Sequence, residues 1–115
     1  MEHLFIGIDI GGTNLRLALV DSRGDIRLRS RTKSAIAEGR AAFCDRLVAC
    51  IDELCFVAGT SAKAIAGIGV GLPGLIGGDG LIHSSVNMRA LDGFNLAAFL
   101  EERTGVSSAC GNDAN

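Results

Sequence analysis

Three stretches of this chain hold residues whose types and spacing could do chemistry. The first is Asp9-Ile10-Gly11-Gly12-Thr13. Gly11 and Gly12 can take positive φ and lack Cβ atoms, so their backbone N–H groups can come close to an anion such as a phosphate. Thr13 adds a hydroxyl, and Asp9 could hold a hydrated metal ion beside that anion. The other reading is a tight hairpin whose Asp9 only caps the turn. The second stretch is Asn112-Asp113-Ala114-Asn115. Two carboxamides and a carboxylate suit vicinal hydroxyls: Asn112 can donate and accept, and Asp113 can accept from a hydroxyl and take its proton. The other reading is the N-cap of a helix. Between them lies the glycine-rich run Leu72-Pro73-Gly74-Leu75-Ile76-Gly77-Gly78-Asp79-Gly80.

The surrounding periodicities say what must position these residues. Ile6, Ile8 and Ile10 alternate before the first glycine turn, and Leu15, Leu17 and Leu19 after it. A period of two on both sides predicts a β-hairpin, not a strand feeding a helix. Neither GxGxxG nor GxxxxGK[ST] occurs, and both would place a helix after the glycines. A turn cluster at Asp21–Asp25 and the alternation of Ile26 and Leu28 with Arg27, Arg29, Arg31 and Lys33 predict a third strand. Its four basic residues share a face and read as a solvated, charge-protected surface. From roughly Glu38 to Ala58 the period becomes helical, with Phe43, Leu47, Val48, Ile51, Leu54, Cys55 and Val57 or Ala58 on the apolar side. Ala64 to Gly71 reads as a buried strand, parallel to the first by a right-handed crossover. Its carboxyl end feeds the glycine-rich loop, the usual ligand edge of an open α/β sheet. A short strand or hairpin return at Leu81–His83, an irregular stretch from Ser84 to Gly93, a helix from Asn95 to Thr104 stopped by Gly105, and a strand from Val106 to Gly111 complete the chain. The order βββαβαβ predicts an α/β fold, a mixed sheet with helices against it, of the ribonuclease-H-like kind.

Composition bounds the partners. The chain has 115 residues and a net charge of −2, which gives no long-range pull toward nucleic acid or an anionic membrane. Trp and Tyr are absent. The longest apolar run is broken by glycines and is too short for a membrane span, and no secretion signal opens the sequence. Cys44, Cys50, Cys55 and Cys110 form no CxxC pair, so they read as reduced packing residues of a cytoplasmic protein. His83 reads as a surface or packing residue.

The motifs together resemble the ROK family of bacterial sugar kinases and repressors, within the actin–hexokinase superfamily. Ile8-Asp9-Ile10-Gly11-Gly12-Thr13 resembles that family's first phosphate loop, Gly71-Leu72-Pro73-Gly74 its sugar-bordering loop, Asn87 lies in its Pro-Asn segment, and Asn112-Asp113-Ala114-Asn115 matches its terminal motif. The resemblance implies an ATP-dependent kinase acting on a hexose or N-acetylhexosamine. It makes Asp113 the catalytic base. Gly74, Asn87, Asn112 and Asp113 become sugar-binding residues. Gly11, Gly12 and Thr13 face the phosphates of ATP, with Asp9 an indirect Mg²⁺ contact. A complete member continues into a second lobe with the rest of the nucleotide site and a structural zinc site. Residues 1–115 thus resemble an amino-terminal lobe, expected to be inactive alone and to expose apolar surface where the second lobe packs. The implied partners are the sugar and ATP, with no nucleic acid, no membrane, and a homodimer as the full-length state. A repressor lacking its DNA reader and a non-sugar ATPase of the same superfamily are the alternatives.

Overall fold

The computed structural model describes residues 3–85 and 88–112. Three strands open the chain: β1 (Leu4–Ile10), β2 (Asn14–Asp21) and β3 (Ile26–Lys33), paired antiparallel in sequence. After them come α1 (Arg40–Val57), β4 (Gly67–Leu72), the short strands β5 (Gly74–Ile76), β6 (Leu81–Ser85) and β7 (Phe94–Asn95), α2 (Leu96–Thr104) and β8 (Ser108–Asn112). The main sheet has the order β3-β2-β1-β4-β8, with β4 parallel to β1 and β8 parallel to β4. With the small sheet β5-β6-β7 set aside, the skeleton is the expected βββαβαβ.

Strand alternation puts Ile6, Ile8, Ile10, Leu15, Leu17 and Leu19 on one face, where they bury against Phe43, Leu47, Ile51 and Leu54 of α1. Leu96 and Leu100 of α2 join the same core. The α1 stripe differs from expectation at its end. Phe56 and Val57 are exposed, and Ala58 is the C-cap. Asn95 caps α2 as expected, its side chain accepting from the Ala98 N–H at 2.9 Å, and Gly105 ends it in the left-handed conformation. The glycine-rich run is not all loop: it contains β5, which hairpins back onto β6, and the irregular stretch after His83 begins inside β6.

The opposite face of the main sheet is bare among the described residues. Its register rows run Ala109–Gly69–Gly7–Ala18–Arg29 and Gly111–Gly71–Asp9–Arg16–Arg31. Side chains of Asp9, Arg16, Arg29 and Arg31 border a shallow hollow of about 380 Å³ there, and Phe5 is exposed on the same face. Arg27 leaves the basic row because the pairing slips between Leu19 and Val20, and its Nε turns to Asp21 at 3.4 Å.

Asp21 organises the β2–β3 turn. Its Oδ1 accepts the N–H groups of Arg23 and Asp25, each at 3.0 Å, while Oδ2 faces Arg23 and Arg27. Desolvation works to raise its pKa, but the two N–H bonds and the two guanidiniums outweigh it and hold the carboxyl below its ordinary 3.8. A depressed folded-state pKa means that the stabilisation is complete above the unfolded value and is lost as pH falls through the folded one. Asp21→Asn is therefore expected to flatten the acid limb of the stability curve between about pH 5 and pH 2. Urea midpoints across that range test this, and parallel slopes for the two proteins would count against it.

Candidate active-site edge

Parallel pairing of β1, β4 and β8 brings three carboxyl ends to one edge of the sheet. Asp9 lies opposite Gly71, Gly71 opposite Gly111, and Leu72 opposite Asn112. With strands about 4.8 Å apart, Asp9 and Gly111 are separated by about 10 Å. The hairpin turn at residues 11–13, the loop that starts at Pro73, and Asn112 thus share one rim. Asn87 and Asp113, expected as a sugar ligand and the base, lie outside the described residues.

The hairpin turn is held from behind. The Gly11 N–H donates to the Asn14 carbonyl at 2.9 Å, the Ser34 N–H to the Thr13 carbonyl at 2.9 Å, and the Ser34 hydroxyl to the Gly12 carbonyl at 3.2 Å. Ser34 is fully buried, so this bracket is fixed. The Gly12 and Thr13 N–H groups have no acceptor among the described residues, which leaves two donors at the rim for an anion. Neither Gly11 nor Gly12 uses the positive φ open to glycine. An added Cβ at Gly11 would meet the Asn14 carbonyl only at an ordinary 3.5 Å. The fold itself therefore tolerates a side chain at Gly11. Ser34 carried no signal in the sequence, since its partners Gly12 and Thr13 lie far back along the chain.

Asp9 sits just before the turn, half-exposed, with Arg16 directly across the hairpin and 3.7 Å away. An exposed pair at that distance is weak, so Asp9 is not locked to Arg16. Mg²⁺ commonly takes one or two carboxylates and otherwise waters and phosphate oxygens. One exposed carboxylate beside two free N–H donors fits that pattern as an outer contact. Among the described residues no group of three or more His, Cys, Asp or Glu could hold a metal by itself. His83 is exposed on β6. The cysteines are free, and burial raises every thiol, Cys110 to about 11 despite a hydrogen bond with the Ala97 backbone. Thiols raised in this way are packing groups, not nucleophiles. No helix is long and apolar enough to cross a membrane among the described residues.

A five-stranded mixed sheet of this order, with helices on one face and Asp9, Gly71 and Asn112 at the carboxyl rim of its parallel strands, defines a ribonuclease-H-like fold of the actin–hexokinase type. The chain belongs to the ROK family, whose model matches residues 5–115. It is 31% identical over 115 residues to the glucokinase of Halalkalibacterium halodurans, covering 99% of this chain and 34% of that protein. It is 38% identical over 108 residues to the beta-glucoside kinase of Listeria monocytogenes, covering 93% and 34%. The solved structure of the inorganic polyphosphate/ATP-glucomannokinase of Arthrobacter sp. strain KM superposes with a TM-score of 0.81 at 28% identity, over 97% of this chain and 45% of that one. The chain spans about a third of the length of the curated relatives it matches.

Proposed function

We propose that this chain is the amino-terminal lobe, residues 1–115, of a two-lobe ATP-dependent sugar kinase that transfers the γ-phosphate to a hydroxyl of a hexose or N-acetylhexosamine. The observation that carries the reading is the meeting of three strand ends at one rim, with Asp9 and the hairpin turn on one side and Leu72–Gly74 and Asn112 on the other. Two relatives named glucokinase and beta-glucoside kinase point the same way.

In this mechanism Asp113 takes the proton of the attacking hydroxyl, and Asn112, Asn87 and the backbone at Gly74 orient the sugar. The N–H groups of Gly12 and Thr13 offer positive ends to the transferring phosphate, and Asp9 would hold a hydrated Mg²⁺ beside it. That ion, when bound, supplies neutralisation of the charge on the phosphate oxygens. Adenosine contacts and any structural zinc belong to the second lobe, and the full-length protein works as a cytoplasmic homodimer without nucleic acid or membrane. Phosphoryl transfer is largely positioning between closing lobes, so one lobe supplies a base and some phosphate contacts but no complete nucleotide site.

Coupled ADP release over a panel of hexoses and N-acetylhexosamines tests this. The full-length protein is expected to turn over with at least one sugar, and the isolated 115-residue chain to stay at the blank. A full-length protein that hydrolyses ATP equally with and without every sugar would refute the reading.

A further inference from the structure

The sugar-side loop leans on a neighbour that a carboxylate holds in place. Gly74 lies opposite Ser85 in the β5–β6 hairpin. A Cβ built on Gly74 would run into the Ser84 carbonyl oxygen and stand 3.0 Å from the Ser85 Cα, so the backbone at Gly74 already rests against this segment. Ser85 is in turn held by Asp92. Oδ1 of Asp92 accepts the Ser85 N–H at 2.9 Å and lies 2.9 Å from the Ser85 hydroxyl, which also reaches the Met88 carbonyl at 2.6 Å. The single hydroxyl proton serves one of these two acceptors at a time, while the N–H bond to Asp92 stays.

Asp92 is itself pinned to the first residue of α1. The Arg40 guanidinium donates from Nε to the Ala90 carbonyl at 2.8 Å and from its terminal nitrogen to the Asp92 carbonyl at 2.9 Å, and it stacks 4.7 Å over the Phe94 ring. A loop that borders a ligand through its backbone has no side chain of its own to lock it, so its position must come from what lies behind it. Here the order runs from α1 through Arg40 and Asp92 to Ser85 and Gly74.

We propose that Asp92 is a positioning residue for the sugar side of the cleft, with Arg40 as its anchor. The inference rests on the sugar-kinase reading, and it assigns these side chains a part in sugar affinity, not in the handling of ATP. Removing the Asp92 carboxylate orphans the Ser85 N–H and frees β6 to shift under Gly74, while the hairpin turn at Gly12 keeps its separate bracket through Ser34.

The experiment measures the KM for sugar and for ATP, with kcat, on the full-length protein and its variants, each confirmed folded by circular dichroism. Asp92→Ala is expected to raise the sugar KM about 10- to 100-fold with the ATP KM within about twofold of wild type. Asp92→Asn keeps an acceptor oxygen at the same place and is expected to restore most of that loss. Ser85→Ala deletes only the hydroxyl, and it tests the idea even where Asp92→Ala fails to fold; its sugar KM alone is expected to rise about 3- to 10-fold. Sugar and ATP KM values that rise together, or a sugar KM that moves in none of the variants, would overturn the proposal while leaving the kinase reading intact. A wild-type protein without sugar-dependent ADP release would instead refute the reading beneath it.

Discussion

Asp113→Asn in the full-length protein is expected to lower kcat for sugar phosphorylation by about 10²- to 10⁴-fold and leave sugar affinity within a few fold. At 1.36 kcal/mol for each factor of ten, the loss is about 3–5 kcal/mol of barrier. The substitution is chosen because the two readings of this residue diverge on it. A catalytic base must take a proton from the attacking hydroxyl, and a carboxamide cannot. A helix N-cap must only accept N–H bonds, and Asn caps as well as Asp does. The base reading thus predicts a protein that folds normally, protects itself with sugar against unfolding, and scarcely turns over. The cap reading predicts a variant with wild-type kcat, and that outcome would remove Asp113 from the mechanism. Asn112→Ala is the companion measurement. Asn112 ends β8 beside Leu72 at the rim, and its loss is expected to appear in the sugar KM more than in kcat.

The elements that position this site were legible because their signals are local. Ile6, Ile8 and Ile10 against Leu15, Leu17 and Leu19 is a period-two pattern on both sides of a short turn, and only a hairpin buries all six. The helical period from Phe43 to Cys55 and the cap at Asn95 are signals of the same kind. The Asp9–Arg16 pair was within reach too: the turn fixes the register, so counting outward from it sets the two residues opposite each other. Other features carried no local signal. A three-residue strand such as β5 is too short to show a period and reads as loop. The slip that takes Arg27 out of the basic row depends on Asp21 and its turn. Ser34 behind the β1–β2 turn and Arg40 behind Asp92 act across 22 and 52 positions, where only the folded chain relates them. Gly11 and Gly12 belong to a third class. The positive φ open to glycine is used at neither, and an added Cβ at Gly11 would meet the Asn14 carbonyl only at 3.5 Å, so backbone strain does not call for glycine at Gly11.

Gly80→Ala is expected to be strongly destabilising to the β5–β6 hairpin, costing about 2–5 kcal/mol. Two independent penalties meet there. Gly80 has φ +87°, a conformation that an L side chain resists by about 1–2 kcal/mol. Its Cβ would also collide with the Ala97 methyl in the first turn of α2 and approach the Asn95 Oδ1 to 3.2 Å. Neither neighbour can retreat easily. Asn95 Oδ1 is already the cap of α2, its amide donates to the Asp79 carbonyl at 3.1 Å, and Ala97 is buried. Relief must then come from moving the β5–β6 hairpin away from α2, the two elements that lead to Gly74 and to Asn112. Gly78→Ala is the control two residues away, with no positive φ and nothing within 4 Å of its added Cβ, and it is expected to change stability by less than about 0.5 kcal/mol. Combining Gly80→Ala with Ala97→Gly separates the penalties, because the second change removes the methyl that is struck and leaves the backbone strain. Urea unfolding of the four proteins is expected to show a favourable coupling energy between positions 80 and 97 of about 1 kcal/mol or more. Additive effects would mean that the hairpin and α2 are not packed as tightly as the structure places them, and equal losses at Gly78 and Gly80 would remove this turn as a support of the sugar loop.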